Sequence, residues 1–167
     1  MIAWLTVVMR IALLQAGPQD LPSDRSSLIF ALIFYGLVAT TFGVAVSESR
    51  PMSLLLLSFV IQISMVFTLL QINGQLDRFN QTASAVFATA ALLGLVTLPL
   101  WLMAKPPIPP GLALLLLGSL FWSLAVDGSI WRHALNRSFG FGLAVSVLLF
   151  VIHFSIMQSF GPPANGG

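Results

Sequence analysis

Five long apolar stretches, separated by short loops that hold nearly all of the charge, constrain this chain more than any other feature. They run over Ser27–Val46, Met52–Ile72, Ala83–Met103, Gly111–Val126 and Phe139–Phe160. A helix that crosses a bilayer needs about 20 mostly apolar residues, because the hydrocarbon core is about 30 Å thick and each residue rises about 1.5 Å. The chain is 57% hydrophobic and 7% charged, where a soluble domain is roughly a quarter charged. A water-soluble fold of 167 residues has too little interior to hide that much apolar surface, so the surrounding solvent is lipid. The predicted fold is all-α: a polytopic bundle of five spanning helices with an N-terminal interfacial helix. The expected organisation is an interfacial helix and connector over 1–26, the transmembrane domain over 27–160 and a flexible tail over 161–167.

Four stretches reach spanning length outright. The fourth is short before Asp127, but it can continue as helix through Ser129–Leu135 toward the interface. Met1–Gln15 reads as a helix lying in the interface or tucked against the bundle, with Thr6 and Arg10 on its wet face and Trp4 as anchor. It lacks the early basic region of a cleavable signal; a retained signal-anchor is the competing reading. Gly17-Pro18 ends that helix, and Gln19–Ser26 is a polar connector. Glu48-Ser49-Arg50-Pro51 reads as a tight turn, Asn73–Gln81 as a loop with an Asn-Gly signal, and Lys105–Pro110 as a stiff proline spacer.

Net charge is only +2 despite a pI near 10, and the basic residues are scattered singly, so no stripe exists to follow a nucleic-acid backbone. The absence of cysteine excludes disulfides, thiolate metal sites and cysteine nucleophiles. With five spans the termini face opposite sides. Arg10, Arg25, Arg78, Arg132 and Arg137 share one face, and only Arg50 and Lys105 the other. That bias places the N-terminus in the cytoplasm and the C-terminus in the periplasm of a bacterial inner membrane. No internal repeat of the transporter kind is visible.

Polar residues within spans should turn toward neighbouring helices, where small residues also let helices approach. Such stripes are Gly36, Thr40 and Gly43; Ser84, Ala88 and Ala91; Ser119, Ser123 and Asp127; and Gly142, Ser146 and His153. Gln62 sits near the middle of its span, four residues after Ser58, as interhelical glue or as part of a substrate path. His153 is the titratable group read as lying well inside a span, with no acid or second histidine expected at its depth. It is therefore read either as a neutral, hydrogen-bonded side chain or as a functional group. Asp127, Arg132, His133 and Arg137 are expected to gather at the cytoplasmic end of the fourth span, near Asp77 and Arg78 and the Asp24-Arg25 pair. Asp127 and Arg132 would pair across one turn. This cluster pins loops, or forms a docking surface for a partner protein or for anionic lipid headgroups.

No Walker loop, dinucleotide glycine pattern, His-Glu-x-x-His or Gly-x-Ser-x-Gly is present. No serine has a histidine and a carboxylate placed to share a site, and haem ligation would want a second histidine at suitable depth. Catalytic residues, cofactors and metals are therefore expected to be none. The segment Leu13-Leu14-Gln15-Ala16-Gly17-Pro18-Gln19-Asp20 before five closely spaced spans resembles the plan of the Yip family of small membrane proteins and its bacterial relatives. The resemblance implies a non-enzymatic membrane protein acting through partners or lipid organisation. The longer N-terminal region that the eukaryotic branch devotes to trafficking GTPases has no counterpart here, so no GTPase partner and no functional residue carries over. The leading expectation is an accessory or scaffold subunit bound to lipids, to other membrane proteins or to itself. The alternative is a small carrier or channel for an ion or lipid-like molecule.

Overall fold

Hydrocarbon offers backbone amides no water, so a chain this apolar satisfies its amides within helices. The structure, a computed structural model, describes residues 2–46 and 52–160. Over them the chain forms six α-helices: α1 (Ile2–Ala12), α2 (Arg25–Val46), α3 (Met52–Ile72), α4 (Phe79–Met103), α5 (Pro110–Ala134) and α6 (Phe139–Phe160). Helices α2 to α6 have 21 to 25 residues, about 32 to 38 Å each. All five are long and apolar enough to cross a membrane. The fourth span does run on past Asp127, to Ala134. The Glu48–Pro51 turn and the 161–167 tail lie outside the described residues.

Helix α1 stops at Ala12, short of the Gln15 expected. Leu14 turns the chain with φ of 61°, and the Gln15 amide bonds back to the Arg10 carbonyl at 2.8 Å. The same closing bond follows α3, where Gly74 has φ of 65°, and α5, where Asn136 has φ of 53°. Glycine and asparagine suit this left-handed position; leucine there costs about 1–2 kcal/mol.

Neighbouring helices alternate in direction. The starts of α2, α4 and α6 and the ends of α3 and α5 therefore meet at one end of the bundle. Arg25, Arg78, Arg132 and Arg137 all lie there, and we call it the basic end. Asn80 and Gln81, in the first turn of α4, fasten the connector by donating to the carbonyls of Ser23 at 3.0 Å and Leu21 at 2.8 Å.

Helix α4 is the centre of the bundle and touches α1, α2, α3 and α5; every residue from Thr82 to Thr89 is buried. Its Ser84, Ala88 and Ala91 are buried as expected. The expected Gly36–Thr40–Gly43 stripe of α2 packs only in part: Gly36 faces open space and Gly43 lies against Leu55 of α3, while Thr40 bonds to the Gly36 carbonyl of its own helix at 2.8 Å. Ser27, Ala31 and Val38 are buried instead, and Val38 lies against Gly94 of α4. Helices α5 and α6 cross at Gly128 and Gly142, so closely that a methyl group on Gly142 would collide with the Gly128 carbonyl oxygen. Helix α3 rests more loosely on α4 and α6. Large apolar side chains such as Leu37, Leu114 and Leu148 point outward and are 58–69% exposed, as a lipid-facing surface requires.

At about 16 Å, α1 covers about half of a hydrocarbon core and packs along α4, burying Val8, Ile11 and Ala12. Thr6 and Arg10 are both exposed. The Trp4 indole N–H donates to the Ser27 hydroxyl at 2.8 Å. The Trp122 indole N–H donates to the Ala12 carbonyl at 3.1 Å, satisfying one of the carbonyls that a helix end leaves free.

Candidate functional site

Two polar features stand out, one a half-open cavity among the helices and one at the basic end of the bundle. The first is a cavity of about 170 Å³ between α3, α4, α5 and α6, whose polar lining comes from Gln62, Asp127, Ser146 and His153. It exists because α3 packs loosely while the glycine crossing draws α5 and α6 together. The Ser146 hydroxyl donates to the Leu124 carbonyl at 3.0 Å, across the α5–α6 contact. His153 Nε2 and the Ser58 hydroxyl are hydrogen-bonded at 3.1 Å, tying α6 to α3.

Asp127 thus sits elsewhere than the sequence suggested. It lines the internal cavity, whereas Arg132 lines the basic cleft, so the expected Asp127–Arg132 pairing does not unite them in one site. The reason is the length of α5. Helix continues for seven residues past Asp127, which lifts it about 10 Å from the basic end. His153 therefore does share its cavity with an acid. By helix rise, Ser146 stands about 10 Å, Gln62 about 15 Å and His153 about 21 Å from that end.

The second feature is a cleft of about 500 Å³ lined by Gln19, Arg78, Arg132, His133, Asn136 and Arg137. Arg78 reaches over from the short 3-10 turn Leu76–Arg78 and donates to the carbonyls of His133 at 3.1 Å and Ala134 at 3.2 Å. A cation there caps the negative end of the α5 dipole. His133 Nδ1 donates to the Ser129 carbonyl at 2.7 Å. This sets the tautomer and leaves Nε2 to accept from the Arg132 guanidinium at 3.4 Å. The Arg137 guanidinium lies 6.0 Å from the centre of the Phe141 ring, a cation–π spacing. Among the described residues no carboxylate lines the cleft. Asp77 is exposed in the 3-10 turn, and Asp24 lines an apolar groove between α1 and α2.

The structure therefore divides the expected residues in two. Gln62, Asp127 and His153 converge inside; Arg78, Arg132, His133 and Arg137 converge at the end; Asp77 joins neither. Gln19 and Asn136 complete the cleft and had no sequence signal beyond lying in loops. Ser58 completes the interior set, and its spacing of four from Gln62 was the available clue. Among the described residues no group of three or more His, Asp or Glu gathers to hold a metal ion. No family model, no characterised protein and no solved structure matches the chain.

Proposed function

We propose that this is a non-enzymatic integral membrane protein of a bacterial inner membrane that acts as an accessory or scaffold subunit. Its basic end faces the cytoplasm and holds the phosphate of an anionic lipid. One observation carries the reading: three guanidinium groups open into a single cleft that no carboxylate lines among the described residues. An anion is the missing partner, and at a bilayer surface the abundant anions are lipid phosphates. Arg132 and Arg137 are the lipid-binding groups, while Arg78 already serves the end of α5. Each arginine near an anionic surface contributes about 1 kcal/mol. The double change Arg132→Gln with Arg137→Gln should thus weaken retention of phosphatidylglycerol about 30-fold, or about 2 kcal/mol. Native mass spectrometry of the protein extracted in mild detergent reads this directly. Equal retention of phosphatidylglycerol and phosphatidylcholine by the unmodified protein would remove the basis of the proposal.

A second reading, a small carrier for an ion, is favoured by the internal cavity. A membrane protein that only packs against others has no need of Gln62, Asp127 and His153 around one internal space, and intramembrane ionisable residues are functional suspects by default.

A further inference from the structure

Inside the cavity one carboxyl group has no counter-charge. Asp127 lines the cavity together with Gln62 from α3, Val86 from α4, Trp131 of its own helix and Ser146 and His153 from α6. Among the described residues His153 is the other titratable group at the wall, and no arginine or lysine lines it. A carboxylate removed from water needs a positive partner. Among the described residues no group of three or more His, Asp or Glu gathers there, and a proton is the cation that a single carboxylate can take up by itself.

Polar groups continue beyond the cavity toward the basic end. Thr82 lies one helical turn before Val86 on the same face of α4. It is fully buried, and its hydroxyl has no hydrogen-bond partner. A buried hydroxyl in that state calls for a partner such as water. Thr82 stands about 5 Å from the basic end, followed by Asp127 at about 10 Å, Gln62 at about 15 Å and His153 at about 21 Å. These are heights along the bundle; Asp127, Gln62 and His153 also share one space of about 170 Å³, which admits several bridging waters.

We propose that this cavity takes up and passes protons within the hydrocarbon, with Asp127 holding the proton about 10 Å in from the basic end and His153, near mid-span, passing it away from that end. The proposal rests on the carrier reading and names its ion. A proton entering past Thr82 binds a carboxylate oxygen of Asp127. It leaves that oxygen through cavity water for Nδ1 of a neutral His153. The imidazolium then loses the proton on Nε2 to the Ser58 hydroxyl oxygen, and that hydroxyl gives its own proton to a water on the side away from the basic end. One proton enters, one leaves, and the ring resets by exchanging tautomers.

The test is proton flux in proteoliposomes carrying the full chain, driven by a potassium gradient with valinomycin and read by an internal pH dye. The unmodified protein is expected to exceed protein-free vesicles at least tenfold. Asp127→Asn and His153→Gln should abolish the excess, Asp127→Glu should retain it, and Ser119→Ala, outside the cavity, should leave it unchanged. Circular dichroism and a monodisperse elution profile confirm that each variant is folded. Full flux in folded Asp127→Asn overturns the proposal. Flux of sodium without flux of protons overturns the proton assignment but keeps the carrier reading. Flux of neither ion overturns both.

Discussion

The closest contact between helices gives the sharpest test of the packing. At the α5–α6 crossing, a methyl group built on Gly142 meets the Gly128 carbonyl oxygen and lies 2.8 Å from the Arg132 amide nitrogen. Ordinary contact begins at 3.4 Å, and both obstacles are backbone, so no side chain can swing away. The helices must part, which also lengthens the Ser146–Leu124 bond. Overpacking of this kind costs about 1–3 kcal/mol. Against it stands the helix-propensity gain of alanine over glycine, about 1 kcal/mol. Gly118, in the same α5 helix, has nothing within 4 Å of the equivalent methyl and keeps that gain whole. Gly142→Ala should therefore be less stable than Gly118→Ala by about 1–3 kcal/mol, up to roughly a hundredfold in the folded-to-unfolded ratio. Titration from dodecyl maltoside into dodecyl sulfate, followed by tryptophan fluorescence, measures the difference. Equal midpoints for the two variants would refute the crossing as described.

Trp122→Phe removes the donor to the Ala12 carbonyl and should loosen α1 by about 1–3 kcal/mol. Hydrogen exchange over Val8–Ala12 should rise while that of α6 stays unchanged. Ser84→Ala deletes a fully buried hydroxyl that has no partner, so it should leave stability unchanged or raise it by up to about 1–3 kcal/mol. Ser146→Ala, which loses a real bond, should cost about 1 kcal/mol in the same titration.

The spans were legible because their length and apolarity are set by the bilayer, whatever the helices pack against. Rotation was not. A helix apolar all round gives no contrast between its lipid-facing and helix-facing sides, so Gly36, Thr40 and Gly43 read as one contact, whereas Gly36 faces open space, Gly43 meets Leu55, and Ser27, Ala31 and Val38 are the buried residues. Asp127 was misplaced for a related reason. An aspartate after an apolar run reads as an exit into water, yet Ile130, Trp131, Ala134 and Leu135 beyond it are buried and keep the helix inside the bundle. The meeting of Gln62, Asp127 and His153 followed from that extension and from the loose seating of α3. The early end of α1 had no signal, because Leu14 occupies a position where glycine would have announced the turn. The basic groups of the cleft were foreseen together, since Arg132, His133 and Arg137 lie within six residues of the chain.

The whole account requires that lipid surround α2 to α6. The chain contains no cysteine, so single cysteines placed at Leu37, Leu114 and Leu148 can each carry one spin label without further engineering. In liposomes, relaxation of these labels should respond strongly to oxygen and hardly at all to a water-soluble nickel chelate, while a label at Arg137 responds to the chelate. Strong relaxation by the chelate at Leu37, Leu114 and Leu148 would place those outward faces in water and contradict the account.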